Sequence, residues 1–297
     1  MAANILGVGI SVRCDDPDFE DLGPNLDWAE ALRVDFVEIP TLAMDLVADG
    51  RVLRDRARKV AACLKGRPFG ITAHGPIGIN LMDVPRRLPL HVAVLKASLE
   101  VAAELGARHY VMHAGISGED PPLDASYARQ REMLSEAGDL ARQLDLTIVV
   151  ENVFIAGRGL HAPLPSELAR EIRALDHSHV AACLDFSHAF LHTKTRDADF
   201  ISEANALAPA AKHLHVHDSF GRFPDVLTFS HAERLAFGQG DLHLPVGWGA
   251  IPWTELMRTC RFADGAIFNI ELDRRYRSAA AETVAATRAM VAQVVAG

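Results

Sequence analysis

Short apolar runs alternate with amphipathic stretches along the chain, and the order of the alternation sets the fold class. Ile5 to Val12 is an apolar run broken by Gly7 and Gly9, Leu26 to Leu32 carries apolar residues at helical spacing, and Val34 to Ile39 reads as a strand that stops at Pro40. Val52 to Leu64 reads as a helix closed before Gly66, and Phe69 to His74 as a strand ending in the Gly75-Pro76 turn signal. Leu88 to Leu105, closed by Gly106, leads into a strand His109 to His113, and a helix over Ala125 to Leu144 leads into Leu146 to Glu151. Pro165 opens the next helix as a first-turn proline, ahead of a strand Val180 to Asp185. Ile201 to Leu207 is helical, the run around Leu214-His215-Val216 is strand seven, and after a long insertion Ala266 to Glu271 is the eighth, with Ala279 to Val295 as the closing helix.

Eight strand–helix units in 297 residues predict an α/β fold, a single-domain (β/α)₈ barrel over residues 1–297 with parallel strands inside and helices outside. An open doubly wound sheet would carry a glycine-rich phosphate loop after its first strand. Here Gly7-Val8-Gly9 lies inside the strand and lacks the third glycine of that fingerprint.

Composition narrows the partners. A hydrophobic content of 49% can fill one large core, and a net charge of −9 disfavours a broad phosphate-tracking surface, so DNA is not the expected partner. A local cationic or metal site can still hold a small-molecule substrate, an anionic one included. Cys14, Cys63, Cys183 and Cys260 show no Cys-x-x-Cys spacing, which suggests neither a zinc knuckle nor a disulfide framework and fits a reduced, cytoplasmic location. The N-terminal stretch lacks a basic segment followed by an apolar one, and no apolar run approaches ~20 residues, so neither export nor membrane insertion is expected. The oligomeric state, monomer or homo-oligomer, is open at this stage.

The chemistry is in where the strands end. His74, His113, Glu151, Asp185, His215 and Glu271 each close a different predicted strand, and in a barrel those ends converge on one face. A polar residue in such a place is ordinarily a cap or turn residue, but then Ser, Thr and Asn would share the positions. His188 follows the sixth strand, and Asp241-Leu242-His243 is an Asp-x-His unit; on extended backbone its two side chains point the same way and can reach one ion. Imidazoles and carboxylates without a thiolate suit zinc, manganese or iron, and nine such ligands exceed what one ion needs. His213 reads as a satisfied histidine at the start of its strand, and His217, Arg222 and Trp248 as candidate substrate contacts.

The runs His74-Gly75-Pro76-Ile77-Gly78-Ile79-Asn80-Leu81, Val150-Glu151-Asn152, Leu184 to Phe190, His215-Val216-His217-Asp218, Asp241 to Gly249 and Ile270-Glu271 together resemble the xylose isomerase-like TIM barrel superfamily, which includes endonuclease IV and many sugar isomerases and epimerases. The resemblance covers essentially the whole chain. It implies one divalent ion held by His74, His113 and Glu151, a second by Glu151, Asp185, His215 and Glu271, and a third by His188, Asp241 and His243, as in endonuclease IV. There are departures: Ile77 replaces an aromatic that contacts DNA in endonuclease IV-like proteins, and Trp248 an acidic residue. The insertion at 219–240, with Arg222, Phe223, His231 and Arg234, is longer than in endonuclease IV and reads as a substrate lid.

Two activities follow from these readings. The first is a multinuclear, zinc- or manganese-dependent hydrolase acting on a phosphoester of a small sugar- or polyol-like substrate, which uses all nine ligands. The second is a metal-dependent sugar or sugar-phosphate isomerase or epimerase, in which Glu151 and Glu271 exchange protons with adjacent carbons through an enediolate.

Overall fold

The computed structural model describes residues 4–118, 121–155 and 159–296. Eight parallel strands close a barrel: β1 (Ile5–Ser11), β2 (Phe36–Pro40), β3 (Gly70–His74), β4 (Ala107–His113), β5 (Thr147–Glu151), β6 (Val180–Asp185), β7 (Ala211–Val216) and β8 (Ala266–Ile270). Each pairs with its sequence neighbours, and β8 returns to β1 through Val8 opposite Phe268 and Ile10 opposite Ile270. The barrel expected from the alternating pattern is the one observed.

A period of two divides every strand between two environments. Val37, Ile39, Ala73, Tyr110, Met112, Ile148, Val150, Leu184, Leu214, Val216, Phe268 and Ile270 face outward and join the main core beneath the helices. The residues between them point into the barrel. There, Val111, Val149, Ala181 and Cys183 form a separate apolar cluster on the β4–β6 side. Across from it, Glu38, Thr72, His213 and Asn269 are buried and polar. The interior thus has an oily half and a polar half, with the strand-end ligands directly above.

Several local features differ from the sequence reading. A two-strand ribbon, Val47–Ala48 with Arg51–Val52, follows β2. A helix (Phe186–Thr195) starts immediately after β6, with Asp185 as its N-cap accepting from the His188 backbone N–H at 2.8 Å. Short helices His231–Phe237 and Trp253–Thr259 lie where none was expected, and β7 begins at Ala211 and stops at Val216, so His217 lies past its end. No helix of the described residues is long and apolar enough to cross a membrane.

Candidate metal centre

All six strand-end residues reach the same space. His74 Nε2 lies 3.2 Å and His113 Nε2 3.5 Å from Glu151 Oε2. The other Glu151 oxygen is 3.0 Å from His188 Nδ1 and 3.3 Å from His215 Nδ1, and the latter nitrogen is 3.7 Å from Asp185 and 3.5 Å from Glu271. Glu151 therefore stands between two groups of ligands, as a bridging carboxylate must. Asp185 divides its oxygens: Oδ1 caps the helix after β6 while Oδ2 faces the cluster.

The backbone around these side chains is tightly fixed. Asn152 and Asp185 exchange two 2.9 Å hydrogen bonds, Asn152 Nδ2 to the Asp185 carbonyl and Asp185 N–H to Asn152 Oδ1, which lock the tops of β5 and β6 together. Thr41 Oγ1 donates to the His74 carbonyl at 2.7 Å, and a Cβ at Gly75 would lie 2.0 Å from the Tyr110 hydroxyl, so only glycine can turn the chain directly after His74.

The Asp241-x-His243 unit meets the expectation of proximity but not of backbone. It lies in a loop, and His243 adopts a left-handed conformation with φ 46°, so the shared direction does not come from strand period. The loop is held instead by buried Leu242 and Leu244, which pack with Tyr276, and by His243 Nδ1 donating to the Glu271 carbonyl at 3.0 Å. With Nδ1 so engaged, His243 Nε2 donates to Asp241 Oδ2 at 2.7 Å in the metal-free site and is the nitrogen freed for an ion when that proton leaves; His188 Nε2 is 3.4 Å from the same oxygen. All nine candidate ligands are thus brought together.

The three candidate substrate contacts are placed differently. His217 is fully buried inside the cluster, its Nε2 3.1 Å from Asp185 Oδ2 and its ring stacked on His243 at 4.0 Å. Arg222 is exposed and its guanidinium donates to the Phe237 carbonyl at 2.7 Å within its own loop. Trp248 is half exposed and stands edge-on to Tyr276 at 5.6 Å. Of the three, His217 alone joins the ligands. Sequence reasoning missed Glu38, whose Oε2 accepts from His215 Nε2 at 3.5 Å; one acidic residue in an otherwise ordinary strand, Phe36-Val37-Glu38-Ile39, was the available signal.

The electrostatics show which groups compete for charge. Burial alone lowers an imidazole's affinity for protons, and at His113 it dominates, pulling the group down to about 4. At His74 burial is outweighed by the Glu151 carboxylate, which pushes the imidazole up to about 9. At His243 burial is outweighed by Asp241, which pushes it up to about 10. Glu151 and Asp241 would be raised by burial but are held well below the usual carboxylate range by the surrounding imidazoles, His215 foremost for Glu151 and His243 for Asp241. Without cations the site collects protons on His74, His188, His215 and His243, whereas His113 stays neutral.

The donor set fits divalent ions. Glu151 Oε1, His215 Nδ1 and His217 Nδ1 are buried and make no hydrogen bond, although opposing nitrogens and oxygens surround them. Unpaired buried acceptors that converge are costly unless a cation occupies the space between them. Groupings such as His74-Glu151-His215, Asp185-His215-Glu271 and His217-Asp241-His243 each bring ligand atoms within 4.8 Å of one another. A cleft of ≈ 270 Å³ opens beside Glu271 and His243, walled by Ser11, Arg13, Pro40, Leu42 and Leu272 among others.

Comparison with known proteins points two ways. A family model described as xylose isomerase-like TIM barrel matches residues 26–292. Among curated proteins, the probable endonuclease 4 of Mycobacterium ulcerans is 26% identical over 214 residues, covering 71% of this chain and 77% of that protein, and that of Mycobacterium marinum matches to the same extent. Among solved structures, a D-tagatose 3-epimerase-like protein superposes with a TM-score of 0.70 at 18% identity, covering 97% of this chain and 98% of the other. The IOLI protein with a bound zinc atom superposes at 0.64 and 14% identity, over 97% and 98%. At such identities the structural likeness establishes the fold alone.

Proposed function

Because the chain belongs to the xylose isomerase-like TIM barrel family, whose model matches most of its length, we propose that it is a multinuclear metal-dependent hydrolase acting on a phosphoester of a small sugar- or polyol-like substrate. The observation that carries this reading is the gathering of all nine ligands, with Asp241 and His243 beside the Glu151 cluster rather than apart from it. A single ion would leave His74 and His188, which are buried, and the half-buried His113, Asp241 and His243 without a task. The endonuclease 4 relatives, whose name denotes phosphodiester cleavage, support the same class.

Bound zinc or manganese would act as Lewis acids, neutralising charge that develops on the phosphoryl oxygens. His74, His113 and Glu151 would hold the first ion, Glu151, Asp185, His215 and Glu271 the second, and His188, Asp241 and His243 the third. The chain's own contribution is to fix these donors at the barrel mouth. The ≈ 270 Å³ cleft is at the small end of ligand pockets, which commonly run about 300–1,000 Å³, so it suits a monosaccharide-sized group and not a duplex. The net charge of −9 argues in the same direction. The 219–240 insertion serves as a lid: Phe223 stands edge-on to Phe154 at 6.1 Å, and Phe154 packs on His188 at 5.2 Å.

One observation favours the second activity, a sugar isomerase or epimerase. Glu151 and Glu271 lie 3.3 and 3.5 Å from the same His215 nitrogen, so both carboxylates face one small volume, as proton exchange with adjacent carbons requires. Elemental analysis of the purified protein, paired with bis-p-nitrophenyl phosphate, sugar phosphates and keto-sugars in deuterated buffer, separates the two. About three ions per chain with phosphoester cleavage is the expected result. Deuterium incorporation beside a carbonyl, without cleavage and with a single ion, would overturn it in favour of the epimerase.

A further inference from the structure

The polar half of the barrel interior supplies none of the nine predicted ligands, yet Glu38 and His213 bring ligand atoms within 4.8 Å of His215. Glu38 on β2, His213 on β7, His109 on β4 and Asn269 on β8 are all buried below the ligand layer. Glu38 Oε1 accepts from Ser11 Oγ and from Asn269 Nδ2, both at 2.9 Å. Its Oε2 accepts from His215 Nε2 at 3.5 Å, and His213 Nε2 comes within 3.1 Å of that same oxygen. His213 Nδ1 in turn lies 3.4 Å from His109 Nδ1.

These contacts dictate where the protons sit. His213 Nε2, 3.1 Å from the Glu38 carboxylate, makes no hydrogen bond with it, and of the two facing Nδ1 atoms of His213 and His109 one carries the proton. At His215 the contact of Nε2 with Glu38 is the one with hydrogen-bond geometry, so Nε2–H is presented to that carboxylate. Its Nδ1, although 3.3, 3.7 and 3.5 Å from Glu151, Asp185 and Glu271, makes no hydrogen bond.

We propose that Glu38 is a positioning residue that fixes the tautomer and orientation of His215, so that Nδ1 is the nitrogen offered to the ion shared with Glu151, Asp185 and Glu271. His213 and His109 brace the carboxylate from below, and Ser11 and Asn269 hold its other oxygen. Metal-binding histidines whose second ring nitrogen donates to a carboxylate gain basicity and a single orientation, and loss of that partner weakens metal binding by about 10–100-fold. The inference rests on the metal-dependent reading and adds a residue to it.

The test begins with zinc-loaded, full-length protein labelled with ¹⁵N-histidine. Long-range proton–nitrogen correlation should show His215 protonated on Nε2 and metallated on Nδ1; the reverse assignment overturns the proposal without any variant. Glu38→Gln, titrated with zinc against a chromophoric chelator, should bind one ion about 10–100-fold more weakly while the ion of His74 and His113 keeps its affinity. Glu38→Asp, which keeps the charge, should recover part of the loss. Unchanged affinity, or equal weakening at every ion, would overturn the assignment. Wild-type protein that takes up no zinc, manganese or iron would end the metal reading itself, an outcome distinct from a zinc-loaded protein with the wrong tautomer.

Discussion

Replacing Asp218 with alanine should unfasten the loop that carries Asp241 and His243. The carboxylate is 1% exposed and accepts from four donors: Ser219 N and Ile251 N on Oδ1, and Gly247 N and Trp253 Nε1 on Oδ2, at 2.9, 3.2, 2.9 and 3.1 Å. Gly247 is exposed, so water can serve its N–H. Ser219, Ile251 and Trp253 are buried, and their three donors would be left without an acceptor. An unsatisfied buried donor costs about 1–3 kcal/mol, which gives about 3–9 kcal/mol for the three, a large part of a typical domain stability of about 5–15 kcal/mol. Asp218→Asn keeps one oxygen and should fall between alanine and wild type. Urea unfolding followed by tryptophan fluorescence, run on metal-free and metal-loaded protein, measures the loss. Elemental analysis of the folded variant should show depletion of the ion assigned to Asp241 and His243. A change below about 1 kcal/mol with metal content unaltered would refute the reasoning, because it would mean water replaces the carboxylate at all three buried donors.

Other substitutions address the site itself. Glu151→Gln or Glu271→Gln should abolish turnover under either activity, since both residues contribute to the shared ion; near-normal rates on the matching substrate panel would remove them from the site. Asp241→Ala should lower the metal count by about one and cut phosphoester turnover by ~10²–10³, the scale of losing a major electrostatic stabiliser, whereas an unchanged metal count would detach Asp241 from any ion. His74 and His243, pushed up to about 9 and about 10 in the metal-free protein by Glu151 and Asp241 against the effect of burial, hold protons at neutral pH that must leave before zinc binds. Zinc affinity should therefore rise with pH through that range, and calorimetry at pH 7 in buffers of different ionisation enthalpy should detect proton release; zinc uptake without released protons would contradict the assignment.

The barrel was legible because its strands combine an apolar outward face with, in six of the eight, a His, Asp or Glu at or beside the C-terminal end, and six of the nine predicted ligands sit there. His213 was read as a satisfied histidine, but its buried Nε2 makes no hydrogen bond although it lies 3.1 Å from Glu38; Glu38 itself looks like any polar residue in a strand until closure of the barrel brings β2 opposite β7. The short helices Trp253–Thr259 and His231–Phe237 escaped because seven residues carry too little periodicity, and their boundaries depend on contacts such as His231 Nε2 with the Tyr276 hydroxyl at 2.8 Å. For Asp241 and His243 the expectation of a common target was met through the wrong local geometry. The left-handed turn at His243 has no sequence signal, since histidine adopts it only when neighbouring contacts hold it there.

Glu151 shares its carboxylate with donors that come from both ends of the chain, His74 on one side and the segment from His215 to Glu271 on the other. During synthesis the early histidines leave the ribosome well before β8 exists, and a nascent barrel lacking that strand carries every candidate ligand except Glu271. The full donor set of the shared ion would arrive only with the last strand, so an ion bound there would stabilise the completed barrel over every shorter intermediate by its difference in affinity. Metal supply should then act as a quality filter in the cell. In pulse-chase experiments zinc depletion should shorten the lifetime of full-length chains more than that of chains truncated before Ala266.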